Sequence, residues 1–176
     1  MIIDVQNDYF KNGKMELENP EKALEKINKL EDKFIELNLP IIYIQHINYR
    51  ENATFFTHNT AGVNLHERLK TRENSIIIEK QFPNSFKDTL LLGTLQSLGV
   101  EQVVITGMMT HMCIDSTTRA ASELNYKPIL ISDATSTKNL TYLEEEVPAR
   151  YVQLSYLSAL RNFALVETTT EFITKH

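Results

Sequence analysis

The chain of 176 residues contains a single cysteine, Cys113, so no disulfide can form within it. No apolar run reaches the roughly 20 residues that a membrane-spanning helix requires. The first residues also lack the basic-then-apolar order of a secretory signal. The net charge of −5 disfavours binding to nucleic acid and to anionic lipid. These absences predict a cytoplasmic protein with neither nucleic-acid nor membrane partners.

The composition is that of an ordinary folded domain. Hydrophobic residues make up 42% of the chain and charged residues 23%, and there are no repeats, low-complexity tracts or linkers. A chain of this length can build one sizeable core, so we predict a single domain spanning residues 1–176. The first apolar run, at 1–5, is short for a strand, and we expect a few residues to precede it.

Strand-like and helix-like segments alternate along the chain. Asn19 and Pro20 fit the N-cap and first position of a helix, Asp88 can cap a second helix, and Pro148 is expected to divide the last one. We predict strands at 1–5, 41–44, 75–78, 100–106, 127–132 and 163–167, and helices at 20–37, 88–98, 113–125 and 141–160. This alternation is typical of an α/β protein with a parallel sheet covered on both faces.

A long polar stretch without clear periodicity occupies residues 46–74. Segments of this length in compact domains usually form lids, walls of binding sites or interface arms. Phe55 and Phe56 within it look exposed, which predicts that the stretch packs against another subunit. His46 and His66 are expected to be hydrogen-bonding loop residues.

Three reactive side chains lie near the carboxyl ends of predicted strands, where ligands bind in open α/β sheets. Asp4, Lys80 and Cys113 would supply a base, a cation and a nucleophile. Each residue also has a structural interpretation: Asp4 as the cap of a turn, Lys80 as a solvated lysine and Cys113 as a small buried hydrophobe. If the third strand lies at the sheet edge, Lys80 starts about 10 Å from the first strand, so its side chain has to reach back.

Cys113 is predicted to open a helix that follows the fourth strand and Gly107. The free N–H groups and the positive end of the helix dipole would then favour the thiolate, which is the reactive form of cysteine.

At these residues the chain resembles the isochorismatase-like cysteine hydrolases, the superfamily that includes nicotinamidases and N-carbamoylsarcosine amidohydrolase. The resemblance rests on IIDVQNDYF at 2–10, EKQFPNSF at 79–86, ITGMMTHMCIDSTTRAASELNY at 105–126 and ISDA at 131–134. It implies a Rossmann-like, three-layer α/β/α sandwich with a six-stranded parallel sheet of order 3-2-1-4-5-6. It also implies a cis peptide bond between Met108 and Met109.

The resemblance further implies a mechanism. Asp4, Lys80 and Cys113 would form a catalytic triad that cleaves the C–N bond of a small-molecule amide through a thioester. Backbone N–H groups of Met109 and Cys113 would form the oxyanion hole. The rings of Phe10, Phe82 and Phe86 flank the triad in sequence and are candidates for binding substrate.

The departures from the family pattern predict the subfamily. Nicotinamidases carry an Asp-x-His metal pair after the second strand, whereas this chain has His46, Ile47 and Asn48 there. We therefore expect no metal and no cofactor. True isochorismatases act on a vinyl ether and lack the cysteine nucleophile, so Cys113 indicates an amidase.

Two alternatives remain open at the level of the sequence. One is a nicotinamidase with an altered metal site, and the other is a non-catalytic oligomeric protein with a reactive thiol. The family habit of dimers and tetramers, together with residues 46–74, predicts a homodimer or homotetramer.

Overall fold

The computed structural model describes residues 1–176 and contains one six-stranded sheet, one hairpin and five α-helices. The strands are β1 Ile2–Ile3, β2 Ile42–His46, β3 Ile76–Lys80, β4 Val104–Met108, β5 Ile129–Ser136, β6 Leu140–Tyr142, β7 Glu145–Val147 and β8 Leu165–Glu167. The helices are α1 Pro20–Glu36, α2 Leu91–Ser97, α3 Asp115–Glu123, α4 Ala149–Leu160 and α5 Thr169–Lys175. None of them is long and apolar enough to cross a bilayer.

All neighbouring strands of the main sheet run parallel, in the order β3-β2-β1-β4-β5-β8. This is the predicted order, because β8 is the sixth strand of the sheet although it is the eighth in the chain. The order reverses beside β1, which places the switch point between β1 and β4.

Alternation along the central strands creates two cores, one on each face of the sheet. In β1, Ile2 packs with α1 and α5 on one face, whereas Ile3 packs with α2, α3 and α4 on the other. Tyr43 of β2 joins the first core, and its neighbours Ile42 and Ile44 join the second. Successive side chains of a strand point to opposite faces, so these short apolar strands produce the predicted three-layer α/β/α sandwich.

Helices α2 and α4 begin later than the sequence pattern indicated. Helix α2 starts at Leu91 rather than at Asp88, whose backbone is left-handed with φ of 54°. The prediction of a helix at 141–160 is wrong in its first half, because β6 and β7 form an antiparallel hairpin there. Leu143 turns this hairpin with φ of 55°. Helix α4 follows Pro148, and the Asn139 side chain accepts a hydrogen bond from the Ala149 N–H at 2.8 Å.

The β2–β3 segment, residues 47–75, folds onto its own chain. Phe56 is completely buried, with its ring centroid 4.6 Å from that of Tyr9. The buried Asp8 carboxylate accepts a hydrogen bond from the Phe56 N–H at 2.6 Å, and it packs so closely on Gly62 that any Cβ there would lie 2.1 Å from it. The expectation that Phe56 is exposed for a partner is therefore wrong, because Asp8 satisfies the backbone of the segment in the interior.

Candidate active site

Asp4 and Lys80 meet at the carboxyl end of the sheet. Asp4 directly follows β1, in a left-handed conformation with φ of 52°, and its side chain is fully buried. Lys80 is the last residue of the edge strand β3 and is 2% exposed. Its Nζ atom lies 2.7 Å from Asp4 Oδ2. The lysine stem therefore spans the distance across β2 that the strand order imposes.

Few neutral groups support this ion pair. Lys80 Nζ also donates a hydrogen bond to the Phe82 carbonyl oxygen at 3.1 Å. No backbone N–H donates to the Asp4 carboxylate, so the ammonium group is its principal partner. A buried carboxylate with so few donors keeps an oxygen free to take up a proton.

Cys113 lies within a turn of π-helix, Thr110–Ile114, that joins β4 to α3. The prediction that it opens the α-helix is thus wrong by two residues, since α3 begins at Asp115. The chain enters this turn through Gly107, whose φ of 119° and close approach to Ile3 exclude a side chain. The Met108–Met109 peptide bond is cis, as the family resemblance implied.

The thiol of Cys113 is 4% exposed and lies close to the ion pair. Burial, reinforced by the Asp4 carboxylate, raises the pKa of Cys113 far above its ordinary value, and the opposing effect of Lys80 is smaller. The expectation that the helix start favours the thiolate does not hold for the resting protein, because removal from water outweighs it. The reactive form therefore requires a proton acceptor beside the sulfur.

The ammonium group of Lys80 stays charged despite its burial. Burial alone would lower the pKa of Lys80, but the negative charge of Asp4 is the main influence that raises it above the usual value. The resting arrangement is therefore an ammonium, a carboxylate and a protonated thiol side by side.

The backbone N–H of Met109 has no hydrogen-bond partner within the chain. Met109 itself is 6% exposed. Free buried N–H groups are uncommon in proteins.

Sequence reasoning missed the place of His46, which is the last residue of β2 rather than part of a loop. Its Nδ1 lies 3.1 Å from Lys80 Nζ and 3.9 Å from Asp4 Oδ2. The sequence pattern gave no signal for this placement, because it depends on the register of β2 against β1 and β3.

Potential metal ligands also come together here. One ligand atom each from Asp4, His46 and Cys113 lies within 4.8 Å of the others. The Lys80 ammonium contacts both Asp4 and His46, at 2.7 and 3.1 Å, so any metal ion held by these ligands would lie close to a buried positive charge.

The three candidate substrate-binding phenylalanines lie in different environments. Phe10 is 4% exposed and stacks on His66 at 4.1 Å between ring centroids. Phe86 packs in the second core against Tyr126. Phe82 is 39% exposed and borders a groove of about 390 Å³. That groove is lined by Tyr49, Glu79, Lys80, Gln81, Phe82 and Asp88. Of the three phenylalanines, Phe82 is therefore the one that borders an open groove also lined by Lys80.

Comparisons with known proteins identify the family of this chain. A family model for the isochorismatase domain matches residues 1–169. The isochorismatase family protein YddQ of Bacillus subtilis is 44% identical over 98% of this chain and 97% of its own length. A crystal structure of an isochorismatase hydrolase from Oleispira antarctica superposes with a TM-score of 0.94 at 36% identity, over 98% of this chain and 94% of that chain.

Shorter stretches match amide hydrolases. The ureidoacrylate amidohydrolase RutB of Variovorax paradoxus is 33% identical over 38% of this chain and 27% of its own length. Nicotinamidase 3 of Arabidopsis thaliana is 33% identical over 36% of this chain and 32% of its own length. The family model and the full-length relatives show that the chain belongs to the isochorismatase family and is a hydrolase of that family.

Proposed function

We propose that the protein is a metal-independent cysteine hydrolase that cleaves the C–N bond of a small-molecule amide through a thioester. The observation that carries this proposal is the buried Asp4–Lys80 pair, 2.7 Å apart, with an Asp4 oxygen within 4.8 Å of the Cys113 sulfur. A base, a fixed cation and a nucleophile gathered at one end of the sheet are the groups that covalent catalysis by a cysteine uses.

The first half of the reaction forms the thioester. The Cys113 thiol gives its proton to the Asp4 carboxylate as the sulfur attacks the amide carbonyl carbon. The N–H groups of Met109 and Cys113 receive the negative charge that develops on the oxygen, an effect worth about 3–4 kcal/mol per donor in such sites. Protonated Asp4 then returns the proton to the nitrogen, the C–N bond breaks, and the amine leaves.

The second half regenerates the enzyme. Asp4 takes a proton from a water molecule that attacks the thioester carbonyl carbon. The C–S bond breaks, the carboxylic acid product forms, and the sulfur is reprotonated. Throughout the cycle, Lys80 compensates the negative charge that passes between Asp4 and Cys113.

Two features support a reaction without a metal. The Asp-x-His pair of nicotinamidases is replaced by His46, Ile47 and Asn48, and the Lys80 ammonium contacts the potential ligands Asp4 and His46. A divalent cation bound there would be repelled by a buried positive charge. We therefore expect turnover to survive exhaustive chelation.

The test is a screen of small amides for release of ammonia or amine, with chelated wild-type protein and Cys113→Ala as parallel samples. Turnover in the first and its loss in the second is the expected result. If purified protein holds stoichiometric zinc or iron, and turnover disappears on its removal, the altered nicotinamidase is the better assignment.

Self-association and location are part of the same proposal. We place the protein in the cytoplasm, where a single free thiol stays reduced, and expect a homodimer or homotetramer. Phe56 cannot supply the contact surface, since it is buried within its own chain. Light scattering at micromolar concentration gives the mass, and a particle of 20.3 kDa would contradict self-association.

A further inference from the structure

His46 lies on the path that the Lys80 side chain takes to reach Asp4. Strand β2 lies between β1 and β3, and His46 is directly paired with Lys80 in the β2–β3 register. The lysine stem therefore passes the end of β2 at His46. There His46 Nδ1 lies 3.1 Å from the ammonium nitrogen, which is hydrogen-bonding distance.

The backbone of His46 is held by a buried side chain. Gln6 is completely buried, and its Oε1 accepts a hydrogen bond from the His46 N–H at 2.8 Å. Its Nε2 donates to the His46 carbonyl oxygen at 2.9 Å and to that of Val63 at 2.7 Å. The imidazole ring also contacts the buried Phe56 ring, with centroids 5.9 Å apart. These contacts hold the backbone and the ring of His46 without any contribution from Lys80.

The imidazole is in the form that can accept a hydrogen bond. Burial, and then the positive charge of Lys80, lower the pKa of His46 to about 4, while Asp4 acts in the opposite sense and Arg50 in the same sense as Lys80. Near neutral pH the ring is uncharged, so Nδ1 can be the bare nitrogen and Nε2 the protonated one. An ammonium group has only donors, so the contact requires this tautomer.

We propose that His46 is a positioning residue: it accepts a hydrogen bond from Lys80 Nζ and holds the ammonium against Asp4 and beside Cys113. This inference rests on the proposed function for the role of Lys80. Without the acceptor, the long lysine stem can adopt other rotamers, and the thiolate loses part of the nearby positive charge that stabilises it.

Two variants of nearly equal shape isolate the hydrogen bond. His46→Asn places an amide oxygen close to the position of Nδ1 and keeps an acceptor, whereas His46→Leu has the same branching without one. Gln6 holds the backbone in both, because its bonds go to main-chain atoms. Should His46→Leu fail to fold, His46→Ala serves as the acceptor-free variant.

The first readout is the rate at which iodoacetamide alkylates Cys113 between pH 7 and 10. It needs no substrate, and the offset between parallel rate profiles gives the difference in thiol pKa. We expect His46→Leu to raise the pKa of Cys113 by about one unit and His46→Asn to stay near wild type. The second readout is turnover, in which His46→Leu should lower kcat about 10–100-fold with little change in KM.

A double variant tests whether His46 acts through Lys80. In a Lys80→Met background, His46→Leu should change the alkylation profile no further. The proposal would be overturned if His46→Leu and His46→Asn gave the same alkylation profile of Cys113. It would also be overturned if His46→Leu changed that profile as much in the Lys80→Met background as in the wild type. Alkylation of Cys113 does not depend on turnover, so it tests the role of His46 separately from the hydrolase proposal. The hydrolase proposal itself would fail if Cys113→Ala kept full activity.

Discussion

Asp4 and Glu31 are both carboxylates in the interior, yet their surroundings differ completely. Glu31, on α1, is 1% exposed. Its Oε1 accepts hydrogen bonds from the Tyr43 hydroxyl at 2.7 Å and the Lys70 N–H at 2.9 Å. Asp4 is 0% exposed and has the Lys80 ammonium at 2.7 Å instead of neutral donors.

The difference separates a carboxyl group tied into the fold by neutral donors from one for which we propose a chemical role. Glu31 ties α1 to β2 and to the β2–β3 segment through groups that are themselves fixed. Asp4 depends on one buried cation, an arrangement whose desolvation cost is high and whose net contribution to stability is small. A buried charge retained under those conditions fits the role we propose for Asp4, as the proton acceptor of Cys113.

The largest expected effect is that of Asp4→Asn. The shape is kept but the proton acceptor is lost, so kcat should fall by about 10²–10⁴-fold. Because Asp4 raises the pKa of Cys113, alkylation should become faster while turnover collapses. Parallel alkylation and single-turnover measurements check this. An unchanged acylation rate would return Asp4 to a structural role.

Lys80→Met should act in the opposite direction on the thiol. The stem remains and the charge disappears, so the pKa of Cys113 rises and alkylation slows, because Lys80 favours the thiolate. Turnover falls as well, and the loss in the Asp4→Asn/Lys80→Met double variant should be far from additive. Additive losses would mean that the two residues serve separate steps.

The same pair makes a prediction about stability. Each single substitution leaves a buried charge without its partner, which typically costs about 3–5 kcal/mol, whereas removing both charges costs much less. The double variant should therefore be more stable than either single variant. Urea unfolding of the three proteins measures this, and a double variant less stable than both singles would contradict the pairing.

Glu31→Gln should affect stability with a pH dependence and leave turnover unchanged. Burial raises the pKa of Glu31 above its ordinary 4.5, although the Tyr43 and Lys70 hydrogen bonds act in the opposite direction. The folded state therefore holds this proton more tightly, and wild-type stability declines as pH rises from 4.5 through the folded pKa. The variant lacks this decline, so its free energy of unfolding relative to wild type should increase over that interval. Glu36→Gln, at an exposed site of α1, is the control and should show no such trend.

Tyr43→Phe should give the smallest effect. It removes one donor to Glu31 and leaves the Lys70 N–H in place, so the free energy of unfolding should fall by about 1 kcal/mol. Tyr142→Phe, on the exposed hairpin, is the matched control and should be neutral. A neutral Tyr43→Phe would show that Glu31 does not depend on the hydroxyl.

Much of this arrangement could be predicted from the sequence, because it follows local patterns. Apolar runs predicted the six strands of the sheet, and family motifs identified Asp4, Lys80 and Cys113 as candidate site residues. The hairpin at 140–147 was not predicted, because the glutamates Glu144–Glu146 and the apolar positions around them also fit a helix.

Contacts between distant segments could not be predicted in this way. Phe56 is buried because Asp8, 48 residues away in sequence, accepts a hydrogen bond from its N–H. The pKa of Cys113 depends on removal from water by the whole fold. His46 gains its role from a strand register that places Lys80 opposite it.

Turnover by Cys113→Ala tests the cysteine-hydrolase assignment most directly. The substitution removes only the sulfur from a buried position, so the protein should fold, and circular dichroism with a thermal melt verifies this. On an amide that wild type hydrolyses, product release should fall to the background rate. Full activity of the folded variant would contradict nucleophilic catalysis by Cys113.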